Sequence, residues 1–191
     1  MGIPYLPVIG LVGTDLLKKR DDMIVAPDPF DGKTMSVVAK SMRPDVAVFH
    51  VDKADRHGNV SFGYPVEAVI LAEASHHVIV TAEEIVERIE EKDGVGTFLP
   101  SILVDTVVHA PFGSHPAGLT GRYGPDKAHM REYVEASQDD ASFAAYLERY
   151  VFGSASHQDY VEKFVPQEIK QQAVSRSEEH TSELQSHSFI S

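Results

Sequence analysis

Side chains capable of chemistry follow the first clear apolar run of the chain. The run Val46–Val51 is followed within a few positions by Asp55, His57, Gly58 and Asn59. Ligands of open parallel sheets bind at the carboxyl ends of strands, so this position favours a substrate-binding loop. A structural turn is the alternative, because Asp and Asn accept hydrogen bonds from nearby N–H groups and Gly tolerates a positive φ.

A second candidate loop holds Gly113, Ser114 and His115, shortly after the apolar run Ile102–Val108 that we predict to be a strand. Backbone N–H groups beside a glycine are suited to binding an oxyanion or a carboxylate. An ordinary turn would have the same composition. Because the chain has no G-x-S-x-G sequence, Ser114 is not predicted to be the nucleophile of a serine hydrolase.

Side chains of metal-ligand type also occur near the first loop, namely His50, Asp52, Asp55 and His57. Their spacing matches no recognised zinc or iron motif, so we expect no metal site. The sequence also lacks a glycine-rich phosphate loop and a dinucleotide fingerprint, which leaves nucleotide binding without support.

The composition excludes further classes of function. The chain carries 29 acidic against 17 basic residues and a formal net charge of -12, whereas nucleic-acid binding depends on clustered Lys and Arg. Without cysteine there is no disulfide, thiol nucleophile or thiolate metal site, and a reducing cytoplasm is the expected location. No apolar run approaches the roughly 20 residues needed to cross a bilayer, so we expect no membrane partner.

The periodicity of apolar residues predicts the elements that position these loops. In chain order they are a strand at Val46–Val51, a helix at Pro65–Ala74, a strand at His77–Val80 and a strand at Ile102–Val108. Thr81 and Glu84 have the spacing of a capping box, which predicts another helix ending near Gly94. Glu83 and Glu84 therefore either begin that helix or supply a general base. The alternation indicates an α/β fold, an open and mostly parallel sheet with flanking helices.

The residue pattern of the chain changes after Pro111. A loop rich in Gly and Pro leads into three short amphipathic helices, predicted at 126–136, 140–152 and 156–164. We assign residues 1–165 to one domain that is truncated on its N-terminal side, and residues 166–191 to a disordered or artefactual tail. Within that tail, Arg176–His187 is similar to a translated sequencing adapter.

A set of short segments extends along the chain in a fixed order. The set comprises Gly2–Val8, Gly13–Leu16, Arg43–Ala47, Ala54–Val60, Val78–Val86, Pro111–Pro116, Tyr123–Gly124 and Tyr133–Ala136. Together the segments resemble the A subunits of family I CoA-transferases, in particular the glutaconate CoA-transferase group. The resemblance covers about residues 2–164, and an ordered set of this kind is more specific than any single member.

The resemblance implies a CoA-transferase fold and an enzyme built from an A and a B subunit, as a heterodimer or a heterotetramer. The substrates would be an acyl-CoA thioester and a small carboxylic acid. CoA would pass through a glutamyl-CoA thioester, which is covalent catalysis without a metal. The nucleophilic glutamate of this family belongs to the B subunit, so no catalytic residue is expected in this chain.

An A subunit would contribute walls of the substrate cleft. The candidates are Asp55, His57, Gly58 and Asn59 from the first loop and Gly113, Ser114 and His115 from the second. Two alternatives remain open at this stage. One is a subunit of a CoA-thioester ring-opening hydrolase of the same fold, and the other is a non-catalytic binding or scaffold domain.

Overall fold

The computed structural model describes residues 3–63, 67–89 and 96–175 of the 191-residue chain. The chain divides into two units, the first ending at Pro44 and the second beginning at Asp45. A single domain over residues 1–165 stays a prediction from the sequence.

The first unit is a small antiparallel sheet that the sequence analysis did not predict. Its strands are β1 (Tyr5–Val8), β2 (Met23–Pro27) and β3 (Met35–Lys40), and a 3-10 turn spans Asp15–Lys18. The spatial order is β1-β3-β2, so β3 is central. Both edge strands contain a proline, Pro7 and Pro27, a residue that central strands exclude because it cannot donate to the ladder.

The second unit contains a five-stranded sheet. Its strands are β4 (Val46–Asp55), β5 (Val60–Phe62), β6 (His77–Val86), β7 (Thr97–Leu99) and β8 (Thr106–His109), in the spatial order β7-β5-β4-β6-β8. β4, β6 and β8 are parallel neighbours, which confirms the predicted α/β fold with a parallel centre. β5 and β7 extend the sheet in antiparallel pairings.

One face of this sheet is covered by α1 (Glu67–Ala74). The strand register pairs Ala47 with Val78 and Val51 with Ala82, and these buried side chains form the core with Ala72 of the helix. Neighbours in a parallel ladder point to the same face, so the apolar runs of β4 and β6 build one continuous surface. The predicted first residue of the helix, Pro65, lies outside the described residues.

Two predicted elements differ from the structure. The prediction of a helix starting at Thr81 was wrong, because β6 continues to Val86 in parallel register with β4. Its predicted stop at Gly94 lies outside the described residues. The third predicted strand begins late, since Ser101–Leu103 forms a 3-10 turn and β8 starts only at Thr106.

Three helices follow the loop 111–125, in agreement with the amphipathic pattern. They are α2 (Lys127–Ala136), α3 (Asp140–Leu147), which continues as a π-helical turn over Glu148–Phe152, and α4 (His157–Phe164). Residues 167–175 are also helical, and buried Ile169 packs in a cluster with Tyr123 and Val161. Ordered structure therefore continues past residue 165, where the sequence analysis placed the end of the domain. Within the described part of the chain, no helix combines the length and apolar character that crossing a bilayer requires.

Candidate functional site

The first candidate loop is the tight turn between β4 and β5. The N–H of Asp55 donates to the carbonyl of Asn59 at 2.8 Å, and the N–H of Gly58 donates to the carbonyl of Asp55 at 3.1 Å. Gly58 has a φ of +90°, and a Cβ there would lie 3.3 Å from the Cβ of Ser101. The side-chain oxygen of Asn59 accepts from the N–H of Ser101 at 3.0 Å. The turn is therefore held by its own residues, as the structural alternative predicted.

The carboxylate of Asp55, a residue only 2% exposed, is occupied by donors from the protein. One oxygen accepts from the N–H groups of His57 and Asn59, at 2.8 and 2.9 Å. The other accepts from the side-chain amide of Asn59 and the N–H of Ile89, at 2.9 and 3.0 Å. Burial favours the neutral acid, but these hydrogen bonds outweigh it and lower the pKa of Asp55 below its ordinary value. Since each oxygen already accepts two hydrogen bonds, the geometry favours a structural role.

A polar network that the sequence analysis did not assemble lies on β4, β6 and the loop 111–125. Its centre is Glu83, whose side chain is 7% exposed. The Nε2 of His50 and the hydroxyl of Tyr123 donate to one carboxylate oxygen, at 2.8 and 2.5 Å. The N–H of Phe112 donates to the other oxygen at 2.8 Å. The Nδ1 of His50 lies 2.8 Å from the hydroxyl of Thr81, its partner in the β4–β6 register.

These contacts hold Glu83 in its ionised form. Burial alone would raise the pKa of the carboxyl, but the hydrogen bonds from His50, Tyr123 and Phe112 outweigh burial and lower it. Burial next to that carboxylate raises the pKa of the Tyr123 hydroxyl, which remains a donor. Phe112 adopts a φ of +60°, an uncommon value for a residue with a side chain. The network thus clamps the loop to the sheet through Glu83.

Arg122 ties the same loop to the ends of two strands. Its guanidinium contacts the carboxylates of Asp52 and Glu84, the latter at 2.8 Å. Burial lowers the pKa of Arg122, but the two carboxylates outweigh burial and raise it. Glu84 is therefore engaged in an ion pair at the end of a strand, and its predicted helix-capping role was wrong.

The second candidate loop is closely packed. A Cβ at Gly113 would lie 2.8 Å from the imidazole of His50, so only a glycine lets the backbone approach that ring. The hydroxyl of Ser114 donates to the carbonyl of Gly118 at 2.7 Å, and its N–H donates to the hydroxyl oxygen of Tyr123 at 3.3 Å. These bonds are the contacts of a turn.

His115 points away from the strands towards the C-terminal helices. Its Nδ1 lies 2.8 Å from the hydroxyl of Tyr160 and its Nε2 lies 3.3 Å from a carboxylate oxygen of Asp126. In the described part of the chain, no hydrogen bond joins Gly113, Ser114 or His115 to the turn at 55–59. A shared role for the two loops in one substrate cleft remains a prediction.

A cleft of about 510 Å³ lies beside the first loop and the ends of β6 and β8. Its walls include Asp55, Arg56, His57, Gly58, Ile85 and His109. Arg56 and His57 are exposed. Nε of Arg56 lies 3.2 Å from a carboxylate oxygen of Glu87, and both side chains of this pair are largely exposed. The volume lies within the range of about 300–1,000 Å³ that is usual for small-molecule sites. Asn59 and the second loop are not among the described residues that line it.

The four side chains of metal-ligand type do not converge as a ligand set. Both nitrogens of His50 are engaged by Thr81 and Glu83. Asp52 contacts Arg122, and the oxygens of Asp55 accept N–H groups. Three of the four side chains therefore have hydrogen-bond or ion-pair partners within the chain.

Comparison with known proteins places the chain beside a family model and several relatives. Residues 1–110 match the sequence model of a family described as Coenzyme A transferase. The A subunit of glutaconate CoA-transferase from Acidaminococcus fermentans is 31% identical over 180 residues, which take in 85% of this chain and 56% of that relative. The A subunit of 3-oxoadipate CoA-transferase from Pseudomonas knackmussii is 32% identical over 166 residues, or 85% of this chain and 57% of that relative.

A solved structure shows the same architecture. The chain superposes on the glutaconate coenzyme A-transferase from Acidaminococcus fermentans with a TM-score of 0.79 and 28% sequence identity. The superposition covers 90% of this chain and 58% of the other. The chain thus spans little more than half the length of each of these matched chains.

Proposed function

Because the chain belongs to the coenzyme A transferase family, we propose that it forms part of the A subunit of a heteromeric CoA-transferase. That enzyme moves CoA from an acyl-CoA to a small carboxylic acid, and its substrate is the thioester itself, with no permanently bound cofactor. The nucleophile is a glutamate of the B subunit, which attacks the thioester carbonyl, releases CoA thiolate and leaves an acyl anhydride. The thiolate then attacks the glutamyl carbonyl, which releases the first acid and forms glutamyl-CoA.

The assignment of the nucleophile to the B subunit is supported by the hydrogen bonding of the buried carboxylates near the strand ends. Both oxygens of Glu83 and both oxygens of Asp55 accept hydrogen bonds from the chain itself. A nucleophilic carboxylate needs a free lone pair directed at the thioester carbon. The geometry therefore supports a reactive carboxylate that comes from another polypeptide.

The cleft beside the first loop supports a role in substrate binding. Arg56 and His57 are exposed at its wall, and a guanidinium suits the carboxylate of an acid substrate. Asp55 and Gly58 hold the shape of the loop through their own backbone contacts. We propose that this turn forms one wall of the substrate cleft and that the B subunit completes it.

An exposed sheet face supports assembly with a partner. On the side of the sheet opposite α1, Val46, Val48 and Val108 are exposed, and the register places Ile79 beside Val48. Apolar side chains on adjacent strands form a contiguous patch, which is typical of a protein interface. We propose that the rest of the enzyme covers this face and that the assembly is a hetero-oligomer in the cytoplasm.

An activity assay tests the proposal. The polypeptide that carries these residues is expressed on its own and together with the B subunit, and CoA transfer from an acyl-CoA to a second carboxylate is followed by mass spectrometry. We expect transfer by the pair and none by the single polypeptide. A ring-opened thioester formed from a cyclic CoA thioester, without transfer, would favour the hydrolase alternative. No turnover and no complex between the two proteins would favour a binding or scaffold domain.

A further inference from the structure

A cluster of three potential metal ligands lies away from the cleft, where the loop 111–125 meets α2. His115, Asp126 and His129 each offer one donor atom, and these atoms all lie within 4.8 Å of one another. The side chain of His115 is 1% exposed, and His129 is buried. The set is therefore an enclosed group of nitrogen and oxygen donors, which differs from a surface cluster of acids.

The distance between the donor atoms of His115 and Asp126 suits a tetrahedrally coordinated ion. Nε2 of His115 lies 3.3 Å from Oδ2 of Asp126. Two ligands held at about 2.0–2.1 Å from a tetrahedral Zn²⁺ lie about 3.3–3.4 Å from each other. The pair thus already has the separation that the ion requires. A movement on the order of 1 Å by His129 would bring the third donor into range.

Outer hydrogen bonds orient all three side chains. Nδ1 of His115 lies 2.8 Å from the hydroxyl of Tyr160, and Nε2 of His129 lies 2.8 Å from the hydroxyl of Tyr146. Oδ1 of Asp126 accepts the N–H groups of Ala128 and His129, at 3.1 and 3.0 Å. Metal-binding imidazoles and carboxylates are typically fixed by partners of this kind. Nε2 of His115 and Oδ2 of Asp126 thus face each other, and His129 offers the third donor atom.

We propose that His115, Asp126 and His129 bind one Zn²⁺ ion, with water as the fourth ligand. Two imidazoles and a carboxylate with one open position are a ligand set typical of this metal. Zn²⁺ would replace the hydrogen on Nε2 of His115, and the imidazole proton would then lie on Nδ1 and be donated to the hydroxyl oxygen of Tyr160. Burial lowers the pKa of both imidazoles, which favours the neutral form that binds metals. The ion would link the loop 111–125 to α2. This structural role does not depend on the proposed transferase activity.

The test is a metal titration of the 191-residue chain after treatment with a chelator. Co²⁺ serves as a visible-absorption probe of tetrahedral coordination, Zn²⁺ competes with it, and native mass spectrometry counts the bound ions. Asp126→Asn keeps a residue that caps helices well but removes the charged ligand. Tyr160→Phe removes only an outer hydrogen bond. The expected result is one ion per chain, with affinity lowered at least about tenfold in D126N and by about 10–100-fold in Y160F.

The matched control replaces two adjacent exposed histidines, as His76→Ala with His77→Ala, and should leave the affinity unchanged. Circular dichroism of each variant shows whether it is folded. The proposal is overturned if the chain binds no stoichiometric ion, which would leave a hydrogen-bonded cluster only. It is also overturned if the double control variant weakens binding as much as D126N does. Neither outcome depends on whether the chain takes part in CoA transfer.

Discussion

Asp55 and Glu83 accept hydrogen bonds with both of their carboxylate oxygens. Their donors come from different segments, so each carboxylate holds separate parts of the chain together. Asp55 joins its own turn to Ile89, and Glu83 joins β6 to the loop at Phe112 and Tyr123. At the scale of single residues, Asp55, a candidate for the cleft wall, and Glu83, a possible general base, accept hydrogen bonds from their own chain.

Replacement of Asp55 by Asn should destabilise the second unit by about 3 kcal/mol, because the new NH₂ group would face N–H donors in a buried site. Chemical unfolding followed by circular dichroism measures this loss. Asp45→Asn is the matched control, since Asp45 is exposed and should change stability by no more than about 0.5 kcal/mol. Equal stabilities of the two variants would contradict the role assigned to Asp55.

The stability of the chain should depend on Glu83 in acid. The folded state lowers the pKa of Glu83 below its ordinary value of 4.5. Its contribution is therefore complete above that value and is lost as the pH falls through the lower pKa of the folded state. The free energy of unfolding, measured by urea titration from about pH 3 to pH 6, should rise less steeply with pH in Glu83→Gln. Parallel pH curves for the two proteins would show that Glu83 has no such linkage.

Local sequence signals were sufficient to predict where the C-terminal helices begin. Asp126, Asp139 and Ser156 each accept an N–H of the first helical turn, and the predicted starts lie within one residue of these caps. A capping side chain acts on its own neighbours, so its effect can be predicted without the rest of the fold. The same argument accounts for the turn closed by Asp55 and Asn59.

Features that depend on residues distant in sequence could not be predicted from local signals. Thr81 and Glu84 have the spacing of a capping box, but the parallel ladder with β4 gives the segment hydrogen bonds over its whole length. The long-range strand pairing with β4 therefore overrides the local preference of this segment for a helix start. The network around Glu83 was missed for a related reason. Its donors His50 and Tyr123 lie 33 and 40 positions away in sequence, and only the folded sheet and loop bring them together.

Gly113 should be essential to the packing of the loop 111–125. A methyl group there would lie 2.8 Å from the imidazole of His50, so Gly113→Ala should cost about 1–3 kcal/mol. Hydrogen exchange should show faster exchange at Phe112 and Tyr123. Gly124→Ala is the control, because its Cβ would make an ordinary contact of 3.5 Å with Gln172. A stable G113A protein with unchanged exchange would disprove the close approach.

At the scale of the whole molecule, the exposed sheet face predicts a selective effect on assembly. Val48 is 61% exposed, so Val48→Lys should leave the fold intact and weaken the complex with the proposed B subunit. Ile102→Lys is the matched control, because Ile102 is 88% exposed but lies on a 3-10 turn away from that face. Size-exclusion chromatography of the co-expressed proteins measures how much complex each variant forms. Equal loss of complex in both variants would argue against an interface at β4.

The location of the covalent intermediate tests whether the nucleophile comes from the B subunit. The complex with the B subunit is incubated with acyl-CoA, the adduct is trapped with hydroxylamine, and the modified glutamate is identified by peptide mass spectrometry. The account predicts that the modification lies on a glutamate of the B subunit and that every glutamate of this chain is unmodified. A hydroxamate on Glu83, or on any other residue of this chain, would contradict it.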